Sequence, residues 1–81
     1  MAKGRVIMTE WVEEALKALG GSATILEISR YVWDNHEHDI RNEGDLLYEW
    51  QHELRWAGDL LRREGLIRPS DVSPRGVWEL S

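Results

Sequence analysis

The sequence of 81 residues has no cysteine, no phenylalanine, only two prolines and no long apolar run. Without cysteine the chain has no disulfide, no thiolate metal ligand and no cysteine nucleophile. Because small secreted domains usually need disulfides, we expect a cytoplasmic protein. No segment approaches the roughly 20 apolar residues that cross a bilayer, and no apolar stretch of a signal peptide follows Lys3 and Arg5. The sequence therefore predicts no membrane partner.

What the chain does contain is enough for one small core. Hydrophobic residues make up 42% of the chain and charged residues 31%, a profile typical of a globular protein. The five tryptophans must supply much of the interior, because each one buries roughly 150–250 Å². We expect a single domain over residues 9–81, preceded by a short N-terminal tail over residues 1–8.

Capping signals and apolar spacing predict two helices in the first half of the chain. The first begins at Thr9, buries one face and ends at Gly20-Gly21; the residues of that face are Trp11, Val12, Ala15, Leu16 and Leu19. After a brief extended link at Ser22-Ala23, Thr24 and Glu27 form a capping box that begins a second helix, which runs to about Trp33. The polar segment 34–44 is either a loop or an irregular extension of this helix.

The longest predicted helix runs from Asp45, as its N-cap, to Gly65. Its apolar stripe recurs at steps of three and four residues, at Leu47, Trp50, Leu54, Ala57 and Leu61. Gly58 lies inside this helix at a cost of about 1 kcal/mol relative to alanine. That cost indicates either the close approach of a neighbouring backbone at Gly58 or a break in the helix nearby.

After Gly65 the apolar period changes to two, which predicts a β-hairpin. Its strands are Leu66-Ile67 and Val77–Leu80, and the loop between them, residues 68–76, holds both prolines. A lone hairpin is marginal in water, so we expect Trp78 and Leu80 to pack on the helices. The predicted fold is mainly α with a small β-hairpin: a winged helix-turn-helix of three helices and a two- to three-stranded wing.

Four segments together resemble the N-terminal winged-helix domain of Mrr-type restriction endonucleases. They are Gly20-Gly21-Ser22-Ala23 before Glu27-Ile28, Leu54-Arg55-Trp56-Ala57, Leu60 to Ile67, and Arg75-Gly76-Val77-Trp78-Glu79-Leu80-Ser81. The family has threonine where this chain has Ser81. The resemblance covers about residues 9–81 and implies a DNA-recognition module that precedes a nuclease domain. Because the chain lacks the Asp…Glu-x-Lys arrangement of that nuclease, cleavage does not carry over.

The basic residues are unevenly distributed. Residues 1–51 hold five Lys or Arg against ten Asp or Glu, whereas residues 52–81 hold five Arg against five acids. In a winged helix the third helix enters the major groove, and the wing reaches neighbouring phosphates or the minor groove. We therefore expect double-stranded DNA to contact Arg55, Trp56, Arg62, Arg63, Arg68 and Arg75. The alternative is that the helix arginines pair with Glu53, Asp59 and Glu64. Trp56 either stacks on a base or belongs to the core.

The overall charge favours a second kind of function. The net charge is −5 and the pI is about 5.1, whereas DNA-binding domains are usually basic. Binding by this module alone is therefore expected to be weak and strongly salt-dependent. The alternative is a protein–protein interaction or homodimerisation module without DNA binding.

Few residues suggest catalysis or a cofactor. The histidines and acids of the segment 34–39 form a weak ligand pattern that is more typical of a solvated loop or a partner contact; they are Asp34, His36, His38 and Asp39, with His52 as a distant candidate. No phosphate-binding glycine loop, nucleophile elbow or metalloprotease motif is present. The sequence predicts no enzyme, no catalytic residue, no metal and no cofactor.

Overall fold

The computed structural model describes residues 3–81, with side chains from residue 7 onward. Its elements are helix α1 (Lys3–Ala18), strand β1 (Ser22–Thr24), helix α2 (Ile25–Asn42), helix α3 (Leu46–Arg63) and strand β2 (Val77–Glu79). The fold is mainly α with a small antiparallel sheet. The three helices and the C-terminal wing have the order of a winged helix-turn-helix, as predicted.

Helix α1 begins at Lys3 rather than at Thr9, so the predicted tail is wrong from residue 3 onward. Residues 1–2 of that tail lie outside the described residues. Met8, one helical turn before Trp11 and Val12, is fully buried, and Ile7 packs against the core. The apolar face therefore extends back through Met8, and burial of that side chain explains the earlier start.

Helix α2 confirms the capping box and extends further than the periodicity indicated. The Thr24 side chain accepts from the Glu27 amide at 3.1 Å, and the Glu27 carboxylate accepts from the Thr24 amide at 2.8 Å. The helix then continues to Asn42 through a kink at His36. The irregular extension, rather than the loop, is the correct alternative for residues 34–42. Ile28, Val32 and Ile40 are its buried residues, and His36 occupies the intervening step of four.

Helix α3 buries the predicted stripe except at Leu47, which is partly buried while its neighbour Leu46 is buried. Asp45 at the N-cap position makes no side-chain capping bond. The helix is unbroken at Gly58, where the indole of Trp78 packs against it. A Cβ on Gly58 would lie 2.5 Å from Cζ2 and 2.9 Å from Cζ3 of Trp78. A close neighbour of Gly58 is therefore present, but it is the side chain of Trp78 in β2 and not the neighbouring backbone that the sequence indicated.

The sheet differs from the predicted hairpin. Strand β2 pairs antiparallel with β1, and Ala23 is opposite Trp78. On its other side the chain after β2 forms only one isolated bridge, between Leu80 and Ile67. The segment predicted as an extended link, Ser22-Ala23, is thus the main partner of the C-terminal strand. The predicted strand Leu66-Ile67 contributes only this single bridge.

The core lies between α1 and α3 and is closed by α2 and the wing. Three tryptophans are buried in it: Trp11, Trp50 and Trp78. Leu80 packs against this core and is partly buried, whereas Leu19, expected inside, is 39% exposed. None of the helices formed by the described residues is both long enough and apolar enough to cross a bilayer.

Candidate nucleic-acid interface

The outer face of α3 carries a line of charged side chains. Arg55, Asp59 and Arg62 follow one another at steps of four and three residues, which places them on one side of the helix. Arg55 and Asp59 are exposed and Arg62 is partly buried. Leu54, Ala57 and Leu61 are buried on the opposite side. Packing of that side on the core therefore turns the charged line outward.

The loop over residues 68–76, here called the wing loop, is held by its own backbone. The amides of Val72 and Ser73 both donate to the carbonyl of Pro69, at 3.0 and 3.2 Å. The amide of Val77 donates to the carbonyl of Pro74 at 3.1 Å. Gly76 has φ of 76°, a conformation that glycine adopts without strain, and this turns the chain into β2.

The wing loop and α3 enclose a cleft of about 300 Å³, here called the arginine cleft. Arg62 of α3 and Arg75 of the wing loop both line it, together with Ile25, Ser70, Pro74, Gly76, Val77 and Trp78. The guanidinium of Arg62 also donates from Nε to the carbonyl oxygen of Arg68 at 3.0 Å. This bond leaves the Nη groups of Arg62 for a further partner. The cleft thus presents two cations from separate elements.

The six predicted contact residues do not form one cluster. Arg62 and Arg75 both line the arginine cleft. Arg68 does not line it: its side chain is exposed, and its backbone carbonyl accepts from Arg62. Arg55 lies two helical turns before Arg62 on the same face of α3. Arg63 is exposed, about 100° further around the helix than Arg62.

Trp56 lies about 100° around α3 from Arg55 and is partly buried. Its position is intermediate between the two readings of the sequence: it is neither a fully buried core residue nor a freely exposed stacking platform. The arginine cleft includes Trp78 instead, but the indole of Trp78 is only 6% exposed and is committed to packing. An aromatic platform for a base is therefore not a feature of this cleft.

Ion pairs bear on the alternative in which the arginines pair with neighbouring acids. Among the side chains that the structure describes, no ion pair joins Arg55, Arg63 or Arg75 to a carboxylate. The described ion pair of an arginine is in α2, where Arg41 Nε lies 2.7 Å from Glu37 Oε2. A carboxylate still lies among the arginines of α3, because Asp59 is between Arg55 and Arg62 on the same side of the helix.

Two residues that sequence reasoning missed also line surface cavities on this side. Ser70 lines the arginine cleft. Arg30 lines a second, more open cavity of about 400 Å³ between α2 and α3, together with Leu26, Ser29, Trp33, Asp34, Trp50 and Gln51. The two cavities include adjacent residues of the first turn of α2, Ile25 and Leu26. Arg30 follows Leu26 by four residues, a spacing that places both on one side of α2. The sequence does not show that α3 lies beside this side of α2 and completes the cavity.

The histidines considered as metal ligands make other contacts. The ring of His36 stacks on Trp11 with centroids 4.3 Å apart, and its Nε2 lies 3.0 Å from Glu14 Oε2. His38 Nε2 lies 3.0 Å from the side-chain amide of Asn42. The part of the chain that the structure describes contains no group of three or more potential ligands placed to hold a metal ion. These side chains therefore serve as contacts within and between helices.

Glu14 also receives a hydrogen bond from Tyr31. The phenol donates to Glu14 Oε2 at 3.0 Å. This bond raises the pKa of Tyr31, because deprotonation would break it, and partial desolvation and the negative charge of Glu14 raise it further. Of the acidic side chains of α1, Glu14 is thus engaged with two residues of α2, Tyr31 and His36.

Comparison with known proteins gave no match to a family model, to a curated protein or to a solved structure.

Proposed function

We propose that this chain is a non-catalytic, cytoplasmic winged-helix module that binds double-stranded DNA through α3 and the wing loop. The observation that carries the proposal is the arginine cleft, in which Arg62 from the helix and Arg75 from the loop face one space. Two guanidinium groups held by separate elements suit a phosphodiester backbone, because arginine binds phosphate oxygens through paired N–H donors.

The line of residues on α3 adds a means of reaching the bases. Arg55 is exposed on the same side of α3 as Arg62, and a helix of this width fits the major groove. With Arg62 and Arg75 on phosphates, Arg55 is the side chain that we assign to base edges. Exposed Arg63 and Arg68 then contact flanking phosphates.

The net charge of −5 is compatible with this geometry because it arises in residues 1–51, which hold ten of the fifteen acids, whereas residues 52–81 are neutral overall. Helix α1 packs on the core side of α3, opposite the line through Arg55. Its exposed acids, Glu10 and Glu14, therefore lie behind α3 when the module faces DNA. Repulsion from this acidic side keeps the affinity low, in the range of about 10⁻⁴–10⁻⁶ M that is typical of nonspecific binding.

Fluorescence anisotropy with a labelled duplex at low salt tests the proposal. We expect Arg62→Ala with Arg75→Ala to weaken binding roughly tenfold or more and to reduce the salt dependence of log K by about 2. The matched control is Lys17→Ala with Arg41→Ala, which removes the same charge from α1 and α2. Equal losses in the two double variants would show that only net charge matters, and no binding by the wild type would refute the proposal.

The resemblance to the Mrr N-terminal domain supports DNA as the partner and extends the proposal to a restriction or modification system. In such a system the module would recruit a catalytic domain, which accounts for the absence of a catalytic motif from this chain. A genomic neighbourhood with restriction or methylation genes would agree with this extension.

A protein-contact module is the second candidate, and exposed apolar side chains favour it. Leu26 is 61% exposed beside the cavity between α2 and α3, and Tyr48 is 85% exposed in the first turn of α3. Light scattering after gel filtration distinguishes the candidates. A stable dimer that does not bind DNA would favour this second function, whereas a monomer at high concentration removes its homodimer version.

A further inference from the structure

Glu79 lies at the base of the wing loop, and both of its carboxylate oxygens contact serine hydroxyls. Ser73 Oγ donates to Glu79 Oε1 at 2.8 Å, and Ser22 Oγ lies 3.5 Å from Oε2. Ser73 is only 7% exposed, which makes it a buried polar residue in an otherwise exposed loop. A buried hydroxyl needs such a partner. The pair formed by these two residues is here called the Ser73–Glu79 clasp.

The clasp is connected to Arg62 by the backbone. The carbonyl of Glu79 accepts from the amide of Arg68 at 2.8 Å. The carbonyl of Arg68 in turn accepts from Arg62 Nε at 3.0 Å. Two hydrogen bonds therefore link the last turns of α3 to the strand residue that carries the clasp.

The clasp also fixes the loop residues that precede Arg75. Ser73 is two residues before Arg75, and its own amide is bonded within the loop to Pro69. After Arg75, the carbonyl of Gly76 accepts from the amide of Ile25 in α2 at 3.1 Å. Arg75 is thus anchored on both sides, by the clasp before it and by α2 after it.

We propose that Ser73 and Glu79 are positioning residues that hold Arg62 and Arg75 in place before DNA binds, an inference that rests on the proposed function. Ordering a long side chain or a loop at the moment of binding costs affinity, and a pre-ordered loop avoids that cost. The clasp also explains why an acidic residue, Glu79, lies close to arginines that are proposed to bind phosphates. Its carboxylate oxygens face serine hydroxyls, so they orient the loop instead of facing the phosphates.

Glu79→Ala separates positioning from simple electrostatics, because the two predict opposite signs. Removal of a negative charge near the arginines should by itself strengthen DNA binding. Loss of the clasp should instead weaken it about threefold to tenfold. The matched control is Asp71→Ala, which removes the same charge from an exposed site in the same loop, and we expect it to leave binding unchanged or tighter. Glu79→Gln retains an acceptor for Ser73 and also removes the charge, so it should bind at least as tightly as the wild type.

Ser73→Ala provides a second variant that leaves the charge of Glu79 in place, should Glu79→Ala fold poorly. Both clasp variants should also reduce the salt dependence of log K by about 1, since a misplaced arginine releases fewer counterions. A uniform loss of folded protein would not change this slope. Tighter binding by Glu79→Ala, as in Asp71→Ala, would overturn the clasp while leaving the DNA proposal intact.

The Nε–H signal of Arg62 in NMR spectra of the free protein checks the clasp without DNA. We expect slow solvent exchange in the wild type and faster exchange in Ser73→Ala, because the wing loop that begins at Arg68 loses its anchor at Ser73 and only the backbone bond from Arg68 to Glu79 still holds it. An unchanged signal would overturn the link between clasp and arginine. If the wild type fails to bind DNA, both the proposed function and the positioning role fall, whatever this signal shows.

Discussion

Replacement of Gly58 by alanine is expected to destabilise the protein, although the change improves helix propensity. Alanine inside a helix is about 1 kcal/mol more favourable than glycine. Here the new methyl carbon would lie 2.5 and 2.9 Å from two ring atoms of Trp78, whose indole is only 6% exposed. Overpacking of this kind costs about 1–3 kcal/mol, and a rigid buried ring has little room to move. We therefore take the upper half of that range, about 2–3 kcal/mol, and subtraction of the gain in helix propensity leaves a net loss of about 1–2 kcal/mol.

Urea denaturation followed by far-UV circular dichroism measures this loss, which corresponds to a fall in Tm of roughly 4–16 °C for a domain of this size. The control is the same substitution in a Trp78→Leu background. There the ring is absent, so Gly58→Ala should stabilise by up to about 1 kcal/mol. The change of sign between backgrounds isolates the contact between helix and wing. Stabilisation by Gly58→Ala in the wild type would refute this packing.

Three further predictions concern α2. Thr24→Ala should cost about 1 kcal/mol in urea denaturation, because it removes the capping bond, and no change would mean that the cap is redundant. Ile40→Ala should lower the free energy of unfolding by about 2–5 kcal/mol, since Ile40 is fully buried. A loss below about 0.5 kcal/mol, which is typical of surface substitutions, would contradict packing of α2 on the core beyond His36. In a Tyr48→Phe background, Glu14→Ala should lower the raised pKa of Tyr31 towards 10.0 in an ultraviolet titration. The Tyr31 bond stabilises the fold below about pH 10 and is lost as the pH rises through the raised folded pKa, so an unchanged titration would contradict it.

Local signals in the sequence were the reliable ones. The capping box at Thr24 and Glu27 depends on residues three apart, and it forms as predicted. The energetic cost of Gly58 correctly indicated a close neighbour. That the neighbour is the ring of Trp78 could not be predicted, because the contact joins residues twenty positions apart through the tertiary fold.

Non-local pairing accounts for the missed strand. Strand β1 is three residues long, and its sequence Ser-Ala-Thr lacks an alternating apolar pattern. Its partner Glu79 lies 57 residues from Ser22, so nothing near β1 identifies it as a strand. The predicted hairpin rests on an apolar period of two on either side of the loop 68–76, whereas the longer pairing joins β2 to the distant β1.

The sequence leaves the C-terminal part of α2 ambiguous because a polar residue lies at one of the core-facing positions, which recur every four residues. His36 replaces the apolar residue expected between Val32 and Ile40, and the ring is accommodated by stacking on Trp11. The candidate site was ambiguous in a similar way. Composition indicated which arginines to consider, but only the path of the wing loop brings Arg62 and Arg75 into one cleft.

The most direct test of the proposed function is an NMR titration. A short DNA duplex is added at low salt to the protein labelled with ¹⁵N, and the chemical shifts of its backbone amides are measured. We predict that the largest changes fall on the last turns of α3 and on the wing loop, residues 68–76, and that they diminish as salt is added. No change at any amide, or changes confined to α1, would contradict DNA binding through the arginine cleft.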